Sequence, residues 1–277
     1  GLAVIFISHK LDEVLKVADE ITVIRRGTTV STVSDPSSVT AHQLAELMVG
    51  SELPSPSKDD STVTDEVLLR VEGLTLPGAE SRPLLDDVSF VIHRGEVLGI
   101  AGVEGNGQAE LVEALMGMRA RASGDVRLLD EDLSARSTRQ RRESGIGYIP
   151  EDRHRHGLLL DSPLWENRVL GHQGREPSVR HGLVNRRAAL EDTQRIIDAY
   201  DVRTPSAGVL ARALSGGNQQ KLIVGREMSG DPILLIAAHP TRGVDVGAQA
   251  AIWNHIKDAR REGLAVLLIS ADLDELI

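Results

Sequence analysis

The sequence contains no cysteine, which excludes disulfide bonds and metal sites built from thiolates. It also lacks an excess of positive charge, because 41 acidic and 31 basic residues give a formal net charge of −10. Nucleic-acid backbones attract basic proteins, so this balance argues against nucleic acid as the main partner. The apolar content of 41% is ordinary for a globular protein with a sizeable core.

A long apolar run is missing as well, since a helix that spans a membrane needs about 20 such residues. The apolar stretches 2–8 and 264–270 have the length of buried strands instead. If the protein acts at a membrane, we therefore expect it to act through a partner.

The two ends of the chain carry nearly the same segment. Residues 1–14 read GLAVIFISHKLDEV, and residues 263–276 read GLAVLLISADLDEL. Each copy predicts a buried strand, a turn and the start of a helix. Because a single domain rarely begins and ends with the same element, we interpret the chain as a fragment of a tandem protein.

Between these ends, a short first part precedes a longer α/β part. Helices are predicted at 10–18 and 41–49, with a hairpin between them at 21–33. Residues 51–65 are rich in Ser, Pro and Asp, which predicts a linker. Later strands are predicted at 67–71, 84–92, 97–101, 233–236 and 265–269, and a helical zone at 186–200. Alternating strands and helices indicate a largely parallel, covered sheet.

Residues 214–221 read Leu-Ser-Gly-Gly-Asn-Gln-Gln-Lys and precede a helix predicted at 222–228. Ser215 offers a hydroxyl donor, while Gly216 and Gly217 allow backbone N–H groups to approach a ligand closely. The N-terminus of the following helix favours an anion. This pattern predicts a phosphate clamp, and the alternative is an ordinary Ser-capped helix after a glycine turn.

A glycine-rich stretch at residues 102–110 follows the strand predicted at 97–101. Its glycines fall where a phosphate-binding loop has them, but such a loop continues with Lys and then Ser or Thr. Here Gln108 stands at the Lys position and Ala109 at the position of the Mg²⁺ ligand. Glu110 adds negative charge in the first helical turn, where phosphate would otherwise be favoured.

The backbone amide nest of this loop remains, so weak nucleotide binding is predicted for it. The residues concerned are Gly102, Gly105, Asn106 and Gly107, followed by the three replaced positions. A dinucleotide-binding loop is the alternative, but its pattern needs a glycine where Ile100 stands.

Together these motifs resemble those of ATP-binding-cassette (ABC) ATPases, and the Asn-Gln-Gln-Lys ending resembles the branch that imports simple sugars and nucleosides. The resemblance implies an α/β, P-loop NTPase-like ABC cassette with a mostly parallel sheet, an antiparallel β subdomain and a helical subdomain. Residues 1–50 resemble the tail of a first cassette. Residues 66–277 resemble a second cassette without its C-terminal end, joined to the first by the linker at 51–65.

The resemblance also assigns roles to replaced residues. In the segment Ala-Ala-His-Pro-Thr at 237–241, Ala238 occupies the position of the Asp that holds Mg²⁺ in ABC ATPases. His239 occupies the position of the Glu that orients the attacking water. A histidine could act as a base, but nothing beside it would hold a metal, so no metal site is expected. Glu151, in the Pro-Glu-Asp-Arg segment, stands where most ABC ATPases have Gln. Asp245 would reach across a dimer interface.

A further implied residue is the histidine that touches the γ-phosphate in ABC ATPases. His9 stands at this position in the N-terminal copy of the repeated segment, whereas Ala271 stands there in the C-terminal copy. In an ABC dimer, ATP lies between the P-loop of one cassette and the signature of the other. His9, Ser215, Gly216 and Gly217 would therefore act on ATP held by the first cassette.

The resemblance implies ATP and Mg²⁺ as cofactors of the intact tandem, with this cassette's own site inactive. The partners would be the first cassette of the same polypeptide, transmembrane permease subunits and, indirectly, a solute-binding protein. The expected location is the cytoplasmic face of the cell membrane, and residues 158–170 would face the permease. We also expect residues 1–50 to dock against the body at 66–277, with the C-terminal copy of the strand in the core position and the N-terminal strand at the edge or displaced.

Two rival functions remain open. One is a soluble ABC ATPase that acts on nucleic acid or ribosomes, which predicts a basic face that the sequence does not show. The other is a nucleotide-independent regulatory or scaffold domain. It predicts that ATP does not bind even when the partner cassette is present.

Overall fold

A computed structural model describes residues 1–8, 10–25, 27–50, 61–78, 82–103, 105–119, 122–174, 176–272 and 275. Its helices are α1 (Leu11–Val17), α2 (Ala41–Val49), α3 (Gln108–Leu115), α4 (Thr138–Glu143), α5 (Leu164–Val169), α6 (Arg186–Ala199), α7 (Gly216–Met228) and α8 (Val246–Arg261). Its strands are β1 (Ile21–Arg25), β2 (Thr28–Val33), β3 (Val67–Leu76), β4 (Leu85–His93), β5 (Val97–Ala101), β6 (Ser123–Leu128), β7 (Glu131–Asp132), β8 (Ile146–Ile149), β9 (Val179–Arg180), β10 (Leu183–Val184), β11 (Leu234–Ala238) and β12 (Ala265–Ser270).

A four-stranded parallel sheet with the order β5-β12-β11-β8 forms the centre of the main body. Successive residues of β11 face opposite sides of this sheet. Leu234 and Ile236 pack in a core with α3, whereas Leu235 packs in a second core with α7 and α8. Because both faces are covered, β11 and β12 are buried along their whole length. The predicted parallel sheet is confirmed.

Parallel strands end at the same edge of their sheet, and this edge positions the candidate site. The loop after β5 is the glycine-rich loop, residues 102–107. The loop after β8 begins with Pro-Glu-Asp-Arg at residues 150–153, and the loop after β11 covers residues 239–245. The topology therefore brings three sequence motifs to one edge.

An antiparallel sheet with the order β4-β3-β6-β7 packs on the α3 side of the parallel sheet. A helical region comprising α5 and α6 lies on the other side, next to α7. Gly225 of α7 permits this approach, because a Cβ there would lie 2.5 Å from Ile196 Cγ2 on α6. Both predicted subdomains are thus present.

Residues 11–49 form a small core of their own. Ile21, Val23 and Leu44 are its buried members, and partly buried apolar side chains of α1, the β1-β2 hairpin and α2 pack against them. This unit contacts the main body through α2, which packs against α8. The expected docking is present through α2, while Val17 of α1 and Ile24 of β1 stay largely exposed.

The strand predicted at residues 2–8 is absent, and that prediction is wrong. Leu2, Ile5 and Ile7 are 90%, 93% and 92% exposed, and the segment has no regular secondary structure. Its C-terminal copy, β12, lies between β5 and β11 and is buried. The expectation that the C-terminal copy keeps the core position is confirmed, since a strand needs partners for its backbone groups.

Two sequence-based boundaries also change. The helix predicted at 222–228 begins at Gly216, because the glycine pair belongs to its first turn rather than to a preceding turn. Residues 62–64, assigned to the linker, already contact the main body, since Thr62 Oγ1 donates to Gly95 O at 2.8 Å. No helix in the described parts of the chain is long and apolar enough to cross a bilayer.

Candidate functional site

The glycine-rich loop has the conformation of an amide nest. Gly105 and Gly107 have φ angles of +91° and +102°, in the left-handed region that favours glycine. Gly107 is the N-cap residue of α3, and a Cβ there would lie 3.1 Å from Leu84 O. The loop therefore keeps the backbone geometry that its glycines predicted, whereas Glu104 lies outside the described residues.

The side chain of Gln108 folds back into this loop. Its Nε2 donates to Val103 O at 3.0 Å, and its Oε1 accepts from the N–H of Asn106 at 3.0 Å. The amide lies against Gly102, where an added Cβ would be 2.2 Å from Gln108 Nε2. The N–H of Asn106 is therefore not available to a phosphate oxygen while Gln108 keeps this position.

Neither position at which the resemblance places a Mg²⁺ ligand carries a side-chain oxygen donor. Ala109 begins α3 without a hydroxyl, and Ala238 ends β11 without a carboxylate. The next residue, His239, has φ +48° and donates its N–H to Ile269 O at 2.8 Å. No group of three or more His, Cys, Asp or Glu that could hold a metal occurs among the described residues. These residues do not fit Mg²⁺-ATP.

A cavity of about 260 Å³ lies between the glycine-rich loop and the ends of β8 and β11. Gln108, Tyr148, Glu151 and His239 line it. Burial raises the pKa of Tyr148 to about 12, assisted by the nearby carboxylates of Glu113 and Glu151. The phenol is therefore a neutral donor at ordinary pH. Glu110, beside this loop, lies 4.0 Å from Arg119 Nη2, so its charge is partly balanced.

The signature, residues 214–221, places its Ser and Gly residues at the start of α7. Ser215 is the exposed N-cap residue, and its Oγ accepts from Asn218 Nδ2 at 2.9 Å. Since a hydroxyl both accepts and donates, its proton is available for a ligand. A Cβ on Gly216 would lie 2.8 Å from Arg153 Nη2, and one on Gly217 would lie 3.1 Å from Asp245 Oδ2. A side chain at position 216 would therefore require Arg153 to move, and one at position 217 would require a small shift of Asp245.

The Gln-Gln-Lys part of the signature has structural partners that the sequence did not reveal. Gln219 Nε2 donates to Ala211 O at 3.1 Å, and its Oε1 lies 2.9 Å from His154 Nε2. Gln220 Nε2 donates to Pro240 O at 2.7 Å. Both glutamines are buried, and they attach the first turns of α7 to the loops after β8 and β11.

Arg153 and Arg242 are functional candidates that the sequence analysis missed. Arg153 Nη1 donates to Arg242 O at 2.8 Å, and Arg153 Nε donates to Gln219 Oε1 at 3.4 Å. The guanidinium of Arg242 forms an ion pair with Glu151. The Pro-Glu-Asp-Arg segment could have indicated Arg153, but the sequence analysis gives a role only to Glu151.

The structure thus brings most of the predicted clamp together. Asp245 caps α8, because its Oδ1 accepts from the N–H of Ala248 at 2.9 Å, while its other oxygen faces Gly217. Glu151 points to the same loop through Arg242. His9 lies outside the described residues, so its predicted position beside the phosphate is not part of this geometry.

A buried ion network holds the other end of α7. Glu227 is fully buried and accepts from Arg142 Nη2 at 2.7 Å, Arg226 Nε at 2.8 Å and the N–H of Tyr148 at 3.0 Å. Burial alone would raise the pKa of Glu227, but Arg226 and Arg142 outweigh it and lower the value to about 2. Arg226 also donates to Gly157 O at 2.8 Å. The network therefore fixes α7 to β8 and to the turn after it.

Comparison with known proteins gives a consistent family. A family model described as "ABC transporter" matches residues 85–242. The chain is 39% identical to the nucleoside import ATP-binding protein NupA of Lactococcus lactis subsp. cremoris (strain MG1363), covering 100% of this chain and 54% of that protein. It is 41% identical to the guanosine import ATP-binding protein NupO of Bacillus subtilis (strain 168), covering 94% and 51%.

A sugar-import relative matches to a similar extent. The galactose/methyl galactoside import ATP-binding protein MglA of Pasteurella multocida (strain Pm70) is 35% identical, over 100% of this chain and 54% of that protein. The chain therefore spans about half the length of the curated relatives it matches.

Solved structures agree on the fold. A nucleotide-free ATP-binding cassette from an ABC transporter superimposes with a TM-score of 0.62 at 23% identity, covering 75% of this chain and 83% of that chain. An ATP-binding subunit of an ABC transporter gives a TM-score of 0.60 at 21% identity, covering 75% and 81%.

Proposed function

Since the chain belongs to the ABC transporter family, we propose that it forms part of the ATP-binding subunit of an importer for simple sugars or nucleosides. The import relatives support this assignment, because they act on nucleosides, guanosine or galactosides and match along nearly the whole chain. The transported solute would be selected by other subunits, so the proposal stops at this substrate class.

We further propose that residues 1–50 are the tail of a first cassette, and that residues 66–277 are most of a second. The repeated segment supports this division, as does the separate core of residues 11–49. The exposed apolar side chains at 2–7 fit a segment whose sheet partners belong to the first cassette. The relatives, about twice as long as the chain, leave room for such a tandem.

In the proposed dimer of cassettes, this chain supplies the signature to ATP held by the first cassette. The observation that carries this role is the contrast between the two phosphate-binding features. The start of α7 presents Ser215, Gly216 and Gly217 with an available hydroxyl, whereas Gln108 fills the glycine-rich loop. His9 would reach the same phosphate from the first cassette.

When bound, ATP supplies the phosphoryl group that is transferred to water. Ser215 and the glycine amides would stabilise negative charge on that group, and Asp245 would orient the adjoining loop across the interface. The cassette's own loop would contribute little, because Gln108, Ala109 and Ala238 replace the charge and the metal ligands. Closure of the two cassettes would move permease subunits bound near residues 158–170, at the cytoplasmic face of the membrane.

A nucleotide-independent regulatory domain is the second candidate, and the contacts of Gln108 in the glycine-rich loop favour it. The two candidates differ in one measurement. The regulatory domain predicts that the full-length protein, with both cassettes, fails to bind ATP at the signature.

We expect Ser215→Arg to abolish ATP hydrolysis and transport by the full-length protein reconstituted with its permease. The substitution places bulk and charge into the proposed phosphate clamp, next to Arg153. In the same assay, Gln108→Ala should change hydrolysis by less than about twofold, because it alters a site that lacks the catalytic groups. Equal loss from both substitutions would contradict the assignment of the two sites.

A further inference from the structure

The Pro-Glu-Asp-Arg segment has no role in the proposed function, yet its Arg153 contacts both α7 and the loop after β11. We infer that Arg153 is a positioning residue that holds the start of α7 and the loop after β11 as one unit. This inference rests on the proposed function, because the unit would face ATP held by the first cassette.

The geometry of the guanidinium carries the inference. Two of its nitrogens bind different elements, since Nη1 donates to Arg242 O at 2.8 Å and Nε donates to Gln219 Oε1 at 3.4 Å. The third, Nη2, lies 2.8 Å from the place where a Cβ of Gly216 would be. Arg153 therefore spans the gap between the signature and the loop that ends at Asp245.

The contacts of neighbouring residues strengthen the same connection. His154 shares the Gln219 Oε1 acceptor with Arg153, at 2.9 Å from the imidazole Nε2. Glu151 holds the side chain of Arg242, whose carbonyl accepts from Arg153. Residues 151–154 thus make two contacts with the loop after β11 and two with α7. A movement of one of these elements would therefore shift the others.

The residue type matters because a planar guanidinium presents several donors in a fixed fork. A lysine at this position could reach one of the two acceptors but not both, since its ammonium is a single point of charge. Gly216 leaves space that the flat group uses, because an added Cβ there would lie 2.8 Å from Nη2, whereas one on Gly243 would be in ordinary contact at 3.5 Å.

The step that Arg153 affects follows from the proposed dimer. ATP would first bind to the P-loop of the first cassette, and the signature would engage it only when the cassettes close. A misplaced signature should therefore lower kcat while leaving KM for ATP nearly unchanged. A charged hydrogen bond of this kind accounts for about a tenfold change in rate.

The first test uses the full-length protein reconstituted with its permease and measures kcat and KM for ATP together with the melting temperature. We expect Arg153→Ala to lower kcat about tenfold or more with KM within about twofold, and Arg153→Lys to recover about a third of the wild-type rate. Arg155→Ala is the matched control. Arg155 makes no side-chain hydrogen bond or ion pair within the described part of the chain, so the kcat of this variant should stay near wild type.

The outcomes separate the possible roles. A kcat for Arg153→Ala within twofold of wild type would overturn the inference, and so would equal loss from the Lys variant at an unchanged melting temperature, because a lysine that restores one of the two contacts should recover part of the rate. A large drop in melting temperature for the Ala variant would indicate a merely structural role and also overturn it. If the wild-type protein hydrolyses no ATP, the proposed function fails instead.

The second test does not depend on hydrolysis. In amide NMR spectra of the 277-residue chain, Arg153→Ala should shift the signals of Gly216, Gly217 and Gly243 and leave that of Gly182, in the distant β9-β10 turn, unchanged. Unshifted signals from the first three glycines would overturn the inference even if the proposed function holds.

Discussion

Glu227 is a fully buried carboxylate that contacts two arginines and one backbone N–H. A buried carboxylate of this kind stabilises the fold only together with its partners, because removal of one member of a buried ion pair leaves the other charge without compensation. The sequence gives no local sign of this arrangement, since Arg142 lies 85 residues away from Glu227 along the chain. Individual side chains in this protein therefore take their roles from distant contacts.

We expect Glu227→Gln to lower the free energy of unfolding by roughly 3–5 kcal/mol, because it leaves Arg226 and Arg142 without their counter-charge. Urea denaturation at neutral pH measures this change. The control is Glu143→Gln, which removes an exposed pair with Arg139 and should cost less than about 1 kcal/mol. Equal losses from the two variants would contradict the proposed importance of burial.

The effect of Glu227 should also depend on pH. Its pKa is about 2 in the folded chain, below the ordinary value of 4.5. As the pH falls, the unfolded chain takes up this proton first, so the stabilisation is complete above about pH 4.5 and is lost between there and pH 2. The stability difference between wild type and Glu227→Gln should therefore shrink over this range, whereas a constant difference would contradict the lowered pKa.

The helix α2 is the element that joins the N-terminal unit to the main body. It begins with a capping box, in which Thr40 Oγ1 accepts from the N–H of Gln43 at 3.2 Å and Gln43 Oε1 accepts from the N–H of Thr40 at 2.9 Å. Arg25 of the hairpin donates to Leu47 O at 3.3 Å, near the other end. Val49 then lies beside α8, where a Cβ on Gly247 would be 3.5 Å from Val49 Cγ2.

We expect Thr40→Ala to speed hydrogen exchange in α2 about fivefold, since loss of an N-cap side chain costs about 1 kcal/mol of helix stability. Exchange at Leu44 and Ala45, both buried, measures this opening. The matched control is Ser137→Ala, which removes the same kind of capping box from α4. It should leave α2 unchanged. Faster exchange in β12 as well as α2 after Thr40→Ala would indicate that the unit does not open separately.

The whole molecule combines a main body with cores on both faces of the parallel sheet and a smaller unit with its own core. The parallel strands direct the three motif-bearing loops to one edge, where Gln108 occupies the glycine-rich loop and Arg153 links the start of α7 to the loop after β11. Among the described residues, no group of three or more His, Cys, Asp or Glu that could hold a metal ion lies on the main body. Under the proposed function, the missing catalytic groups would come from a second cassette.

We expect the purified 277-residue chain to show no appreciable Mg²⁺-dependent ATP hydrolysis, because its signature has no nucleotide-loaded partner. Steady-state phosphate release at saturating ATP measures the rate. A turnover approaching about 1 s⁻¹, a low value for an enzyme, would contradict this expectation if the activity persisted at constant specific activity through purification.

The sequence by itself determined the features that depend on local patterns and spacing. Apolar runs at β11 and β12 indicated strands covered on both faces, because such strands need apolar residues on both sides. The glycines at 102–107 indicated a turn with exposed amides, since side chains would block them, whereas those at 216–217 belong to the first turn of α7. The replaced residues Gln108, Ala109 and Ala238 could be identified from their positions in those patterns.

Only the tertiary structure decided how these features are used. The strand predicted at 2–8 is absent because a strand needs neighbours, and its copy holds the place in the sheet. Arg153 reaches Gln219 and Arg242 across 66 and 89 residues of chain, distances at which no sequence pattern specifies a contact. Gln108 could have pointed outward or into its loop, and that choice depends on two backbone groups presented by the folded loop.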